Sequence, residues 1–107
     1  MPPEAKTWKN PVAATPASLA DARQIYTSNC QKCHGVNGDG KLPPGSNYFY
    51  STEPTDFTNR RIVDAMSDGE IFWKITHGRK PMPAFEKRLS DEQRWQLVNL
   101  IREIARQ

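Results

Sequence analysis

The chain's 107 residues make room for one domain and no second. Only 36% of them are hydrophobic, against about 45–50% apolar residues in an ordinary domain. Nine prolines and six glycines interrupt these residues, so either part of the chain is loose or a non-protein group fills the centre. The formal charge of +3 comes without a dense Lys/Arg run, which argues against nucleic acid, and no stretch of about 18 apolar residues is there to span a membrane.

Residues 1–14 are rich in proline and small residues, with Trp8 the only large group. They read as an extended arm or linker, with Trp8 as an anchor, ahead of a domain over residues 15–107. No signal peptide is visible, and Met1-Pro2-Pro3 reads as the start of a trimmed chain or an excised domain. The first helix is predicted from Thr15-Pro16 to about Asn29, because threonine caps well and proline is tolerated at the first helical position. Leu19, Ala22, Ile25 and Tyr26 share a face of it, and Ala22 is small enough for another helix to cross closely. From Gly35 to about Phe57 the glycines and prolines predict a loop. A short helix is expected over Arg60 to Met66.

The next helix is better marked. Ser67-Asp68-Gly69-Glu70 has capping-box form, Ile71, Phe72 and Ile75 give a buried stripe, and Gly78 is a natural stop. Lys80-Pro81-Met82-Pro83 is then a proline-bracketed loop. The last helix is capped by Ser90 with Gln93 completing the box. Leu97, Val98, Ile101 and Ile104 form its apolar face, and Arg102 and Arg106 suit its C-terminal dipole. No strand pattern competes with these elements.

Both cysteines of the chain lie in one string, Cys30-Gln31-Lys32-Cys33-His34. Cys-x-x-Cys-His is the attachment signal of haem c. Two cysteines three apart on a helical turn can each add to one vinyl group of the same porphyrin, and the adjacent His34 then turns a ring nitrogen to the iron. A thioredoxin-like redox pair needs a preceding strand and a βαβ setting, and a structural zinc site needs four ligands, for which only distant His77 remains. Haem also answers the low apolar content, since it is a large flat group that side chains pack on both faces.

An electron carrier keeps both axial positions of its iron filled. The candidates opposite His34 are Met82, Met66 and His77. Met82 stands between two prolines that stiffen the backbone and remove amide donors near the sulfur, and Phe85 follows as a cover for the haem edge. Met66 reads more simply as core, and His77 as a partly exposed residue at a helix end, with a bis-histidine site as the runner-up. Trp73 and Arg79 are candidate hydrogen-bond donors to haem propionates, with core packing for Trp73 and solvent for Arg79 as readings of at least equal weight.

The Cys30…His34 string, the Gly38-Asp39-Gly40 loop, Asp56-Phe57-Thr58, and Ile75-Thr76-His77-Gly78 with Met82-Pro83-Ala84-Phe85 together resemble the class I cytochromes c. Ser90-Asp91-Glu92 through Ile101 resembles the family's final helix, and the likeness covers about residues 15 to 105. It implies an all-α cytochrome c fold, three main helices plus a short one around one covalently bound haem. It further implies a crossing of Ala22/Tyr26 on Leu97/Ile101, with His34 and Met82 as proximal and distal ligands. By the same resemblance a proline carbonyl, with Pro43 the candidate and Pro44 close behind, accepts from the other ring nitrogen of His34. Leu42 departs from the family, where glycine is frequent.

The expected function is one-electron transfer by a monomeric haem domain that transforms no substrate itself. The alternative is a haem c domain or subunit of a larger periplasmic oxidoreductase, such as a dehydrogenase, nitrite reductase or oxidase. A haem peroxidase or gas sensor would need an open sixth position. Residues 71–107 hold eight basic and four acidic groups, whereas residues 35–70 hold three and six. Part of that excess is a solvated helix face. The rest, including Arg79, Lys80, Lys87 and Arg88 and joined by Lys32, suits docking to an acidic redox partner. Covalent haem attachment implies a periplasmic or membrane-tethered location.

Overall fold

The computed structural model describes residues 1–35, 37–40, 55–78 and 82–106, with only the backbone of Lys32 and Cys33. Among the described residues the regular structure is entirely helical. A 3-10 helix at Pro3–Thr7 precedes α1 (Pro16–Asn29), α2 (Gln31–His34), α3 (Arg60–Asp64), α4 (Asp68–His77) and α5 (Asp91–Arg106).

The predicted caps are made. The Thr15 hydroxyl accepts from the Ser18 amide at 3.1 Å, and Ser18 returns the bond to the Thr15 amide at 3.0 Å. Ser67 accepts from the Glu70 amide, and Ser90 and Gln93 form a reciprocal box at 3.1 and 2.8 Å. Each cap satisfies donors that a helix start leaves unpaired. α3 ends two residues earlier than expected, because Arg102 draws its end onto α5. The Arg102 guanidinium donates to the Val63 carbonyl at 2.8 Å, to the Met66 carbonyl at 2.5 Å, and to the Asp68 carboxylate at 2.8 Å.

α1 packs most extensively on α5. Ala22, Tyr26, Leu97 and Ile101 are all buried, as the predicted crossing requires. Ala22 has no bulk to hold the helices apart, so Tyr26 and Leu97 close to 1% exposure each. The core continues through Val63, Ile71, Phe72, Ile75, Phe85, Val98 and Ile104.

The N-terminal arm is not a loose extension. Ala5 is fully buried, and the arm lies on α4 where Gly69 has no side chain to keep it off. Trp8 sets its ring edge on Phe72 at 6.1 Å, and Phe72 stacks on Trp95 at 4.0 Å, with the Arg94 guanidinium 5.1 Å from the Phe72 ring. Asn10 donates to the Trp95 carbonyl (3.0 Å) and to Asn99 (2.9 Å), while its own oxygen accepts from Val12. Asn99 donates to the Val12 carbonyl at 2.9 Å. Trp8 is thus the anchor its size suggested, and two asparagines hold residues 10–12 to α5 as a strap.

Candidate functional site

α1 delivers the chain to the site, and Cys30 is the joint. Its amide closes α1 on the Tyr26 carbonyl at 2.8 Å, and its carbonyl receives the His34 amide at 2.9 Å, so Cys30, Cys33 and His34 are carried on one helical turn. Gly35 stops that turn at φ +83, in the left-handed region that glycine tolerates. The buried Tyr26 hydroxyl donates to the Gly35 carbonyl at 2.6 Å, and the Gly40 amide donates to the His34 carbonyl at 2.8 Å. Burial raises the Tyr26 pKa well above its ordinary value, so the phenol remains a donor.

His34 is 9% exposed. Its Nδ1 lies 3.2 Å from the Thr55 carbonyl oxygen, which can only accept, so Nδ1 carries the proton and Nε2 keeps its lone pair. Burial pushes the imidazole pKa down against the smaller opposing pull of that carbonyl, which favours the neutral ring a metal needs. The Phe57 ring stacks on the imidazole with centroids 4.3 Å apart. The acceptor on Nδ1 is therefore Thr55; the expected Pro43, and Pro44, lie outside the described residues.

Met82 reaches the same site from beyond the C-terminal end of α4. Gly78 ends α4 at φ +67, and a Cβ there would sit 2.6 Å from the Met82 carbonyl oxygen and 2.7 Å from the Ala84 amide nitrogen. The Met82–Ala84 backbone crosses over a glycine because no side chain fits beneath it. Beyond the crossing, the Phe85 and Glu86 amides donate to the Ile75 and Thr76 carbonyls at 3.1 and 3.0 Å, occupying acceptors that the helix end leaves open.

Between these two arms lies a cavity of about 630 Å³, its open mouth included. Its described lining brings together Cys30, His34, Met82 and Phe85 with Tyr26, Thr55, Phe57, Met66, Ile71, Lys74, Ile75, Leu97 and Ile101. This donor set fits a haem. A neutral imidazole and a thioether, distant in sequence, share one cavity with a cysteine at its wall and otherwise mostly apolar surface.

Trp73 is not placed as expected for a propionate donor. Ile71, Lys74 and Ile75 turn one face of α4 to the cavity, which leaves Trp73 on the other, where its ring lies 4.7 Å from His77 one helical turn on. His77 is exposed and absent from the described lining, which leaves the bis-histidine alternative without support. Arg79 lies outside the described residues. Met66, read as core, does reach the cavity, but its sulfur accepts from the Lys74 ammonium at 3.4 Å, and Lys74 also pairs with Glu70 at 3.5 Å. Thr55 and Lys74 carried no local signal in the sequence. Phe57 stood in a legible string but with no assigned contact.

A match to the family described as "Cytochrome C oxidase, cbb3-type, subunit III" covers residues 17–101. Cytochrome c6 of Thermosynechococcus vestitus is 32% identical over 76% of this chain and 65% of its own length. Among solved structures, a chain of the "Kuenenia stuttgartiensis reducing HAO-like protein complex Kustc0457/Kustc0458" superposes with a TM-score of 0.71 at 28% identity, covering 94% of this chain and 54% of that one. The "KustC0563 c-type cytochrome" superposes with a TM-score of 0.62 at 24% identity over 78% of this chain and 96% of its own. This chain thus spans somewhat less than two thirds of that cytochrome c6 and about half of the first solved chain. With the match over residues 17–101, the attachment string and the helical cradle around it, the chain belongs to the class I c-type cytochromes, which carry covalently bound haem c.

Proposed function

We propose that the domain carries single electrons on one haem c, joined to Cys30 and Cys33, with His34 and Met82 as the axial ligands of its iron. The observation that carries this reading is the meeting of a buried, Nδ1-anchored His34 and a clamped Met82 at one cavity beside Cys30. Bound haem supplies a one-electron iron couple; the protein's part is to hold it still and dry. Thr55 keeps the His34 proton on Nδ1 and so directs Nε2 into the cavity. The hydrogen bonds of Phe85 and Glu86 hold Met82 in place through either redox state, which keeps rearrangement small. Phe57, Ile71, Ile75, Phe85, Leu97 and Ile101 exclude water from the cavity. Between the two thioethers, Met82 is favoured because the Met66 sulfur already accepts from Lys74.

Partners are redox proteins with an acidic surface, met at the exposed basic residues beside Met82, of which Lys87 and Arg88 are described. The Arg88 guanidinium lies 5.9 Å from the Phe85 ring, next to the cavity wall. The location is periplasmic; no helix among the described residues is long and apolar enough to cross a membrane. A second reading, a haem domain within a larger periplasmic oxidoreductase, is favoured by the 54% coverage of a chain from a multi-protein complex. The mass of the natural protein separates the two readings.

The deciding experiment is spectroscopic. Matured protein is expected to weigh one haem more than the polypeptide and to be low-spin in both oxidation states, with a sulfur–iron charge-transfer band when ferric. Met82→Ala should keep the haem but bind added imidazole or carbon monoxide. A Met82→Ala protein that retains the native ferric spectrum would remove Met82 from the assignment. Electron transfer to an acidic partner should slow as ionic strength rises, and a salt-independent rate would remove the basic patch.

A further inference from the structure

We infer that Phe57 is a positioning residue whose ring sets the plane of the His34 imidazole, and with it the direction in which that ligand's π orbital meets the iron. The inference rests on the reading of His34 as an iron ligand. A single hydrogen bond from Nδ1 to the Thr55 carbonyl fixes one edge of the imidazole but lets the ring roll about the N–H···O line. A flat face laid against the ring stops that roll. Phe57 is such a face: the two rings are 18° from parallel with centroids 4.3 Å apart.

Phe57 cannot retreat from this contact. It is 8% exposed, and its amide donates to the Gly38 carbonyl at 2.6 Å. Gly38, at φ +78, is itself wedged. A Cβ on it would lie 3.1 Å from Ile104 Cγ2 and 3.5 Å from Phe57 Cβ, so its backbone is sandwiched between α5 and Phe57. On the other side, the Asp56 carboxylate accepts from the Thr58 amide at 2.9 Å and from the Thr58 hydroxyl, closing a turn around Phe57. The run Ile104, Gly38, Phe57, His34 therefore references the imidazole plane to α5, whose apolar face is buried in the core. Residues 55–58 act as a clip, with the Thr55 carbonyl on the ring's edge and Phe57 on its face.

A side chain that only filled space would be replaceable by another apolar group of similar bulk. The plane of an axial imidazole, by contrast, is read directly in ferric low-spin haem. Unpaired spin follows the ligand's π orbital, so the order and spread of the four ring-methyl proton resonances change when the plane turns. Phe57→Leu keeps apolar bulk and removes the flat face. Its holoprotein should have the haem mass and low-spin spectrum of the parent with a reordered or altered methyl pattern, and Phe57→Tyr, which keeps the face, should restore the parent pattern. In the ferrous parent, the Phe57 ring protons should show nuclear Overhauser contacts to the His34 ring protons.

A Phe57→Leu protein with the parent's methyl pattern would overturn the inference whatever its stability. Absence of the Phe57–His34 contacts in the parent would do so as well, and it decides the matter if the leucine variant does not mature. A parent spectrum without axial histidine would overturn the ligand reading instead, and it is seen before any substitution is made.

Discussion

Gly78→Ala tests how the distal loop is held. The residue sits at φ +67 and ψ 179, a region that is essentially glycine's alone, and an alanine forced there costs about 1–3 kcal/mol in backbone strain. The new Cβ would also meet three backbone atoms, the Met82 oxygen and Pro83 carbon at 2.6 Å and the Ala84 nitrogen at 2.7 Å. Ordinary contact begins near 3.4 Å, so relief requires a shift of most of an ångström, and no flexible side chain is there to absorb it. The loop cannot slide freely, because Phe85 and Glu86 are bonded to the end of α4, and losing either bond costs a further ~1 kcal/mol. The expected result is a destabilisation of about 2–4 kcal/mol by denaturant unfolding, loss of the sulfur–iron band, and binding of added imidazole with the haem still attached. Gly69→Ala is the control. Its Cβ would overlap the Ala5 carbonyl oxygen and displace the strap, yet the ferric spectrum should be unchanged because Gly69 is absent from the cavity's described lining. A Gly78→Ala protein with the parent's spectrum, no affinity for imidazole and stability within about 0.5 kcal/mol would contradict this account of the distal loop.

Cys33→Ala should leave a single thioether, seen as a lower holoprotein yield and a mass that accounts for one attachment, whereas an unchanged yield and two attachments would contradict the roles given to Cys30 and Cys33. Arg102→Ala removes the donors on two carbonyls and the Asp68 carboxylate and should cost about 2–3 kcal/mol; Arg102→Lys should recover little, since one ammonium cannot reproduce the fork. Asn10→Ala should speed hydrogen exchange at Val12, whose amide loses its acceptor, while exchange in α1 stays as it was.

Much of this protein is legible without a structure, because the signals are local. Thr15-Pro16, Ser67 with Gly78, and Ser90 with Gln93 place three helices through bonds between residues at most four apart. Cys30-x-x-Cys33-His34 names the cofactor because both thioether sites and a ligand must lie on one turn. The end of α3 is less legible, since the carbonyls of Val63 and Met66 at its close are held by Arg102, far along the chain. The arm reads in the sequence as an extended arm or linker, and its seat is not legible there, for its asparagine bonds and its place on Gly69 are made with residues that no local pattern connects. The chemistry of Trp73 suits a propionate donor or a packed side chain equally, and only the rotation of α4 shows its ring against His77. Local patterns alone name the haem and place the helices around its attachment string. Folding in three dimensions is needed to see the Thr55 carbonyl and the Phe57 ring against His34, the Met82 backbone over Gly78, and the Lys74 ammonium on the sulfur of Met66. Those are contacts between a carbonyl, a ring face and a missing side chain, which acquire meaning only when distant segments are brought within a few ångströms.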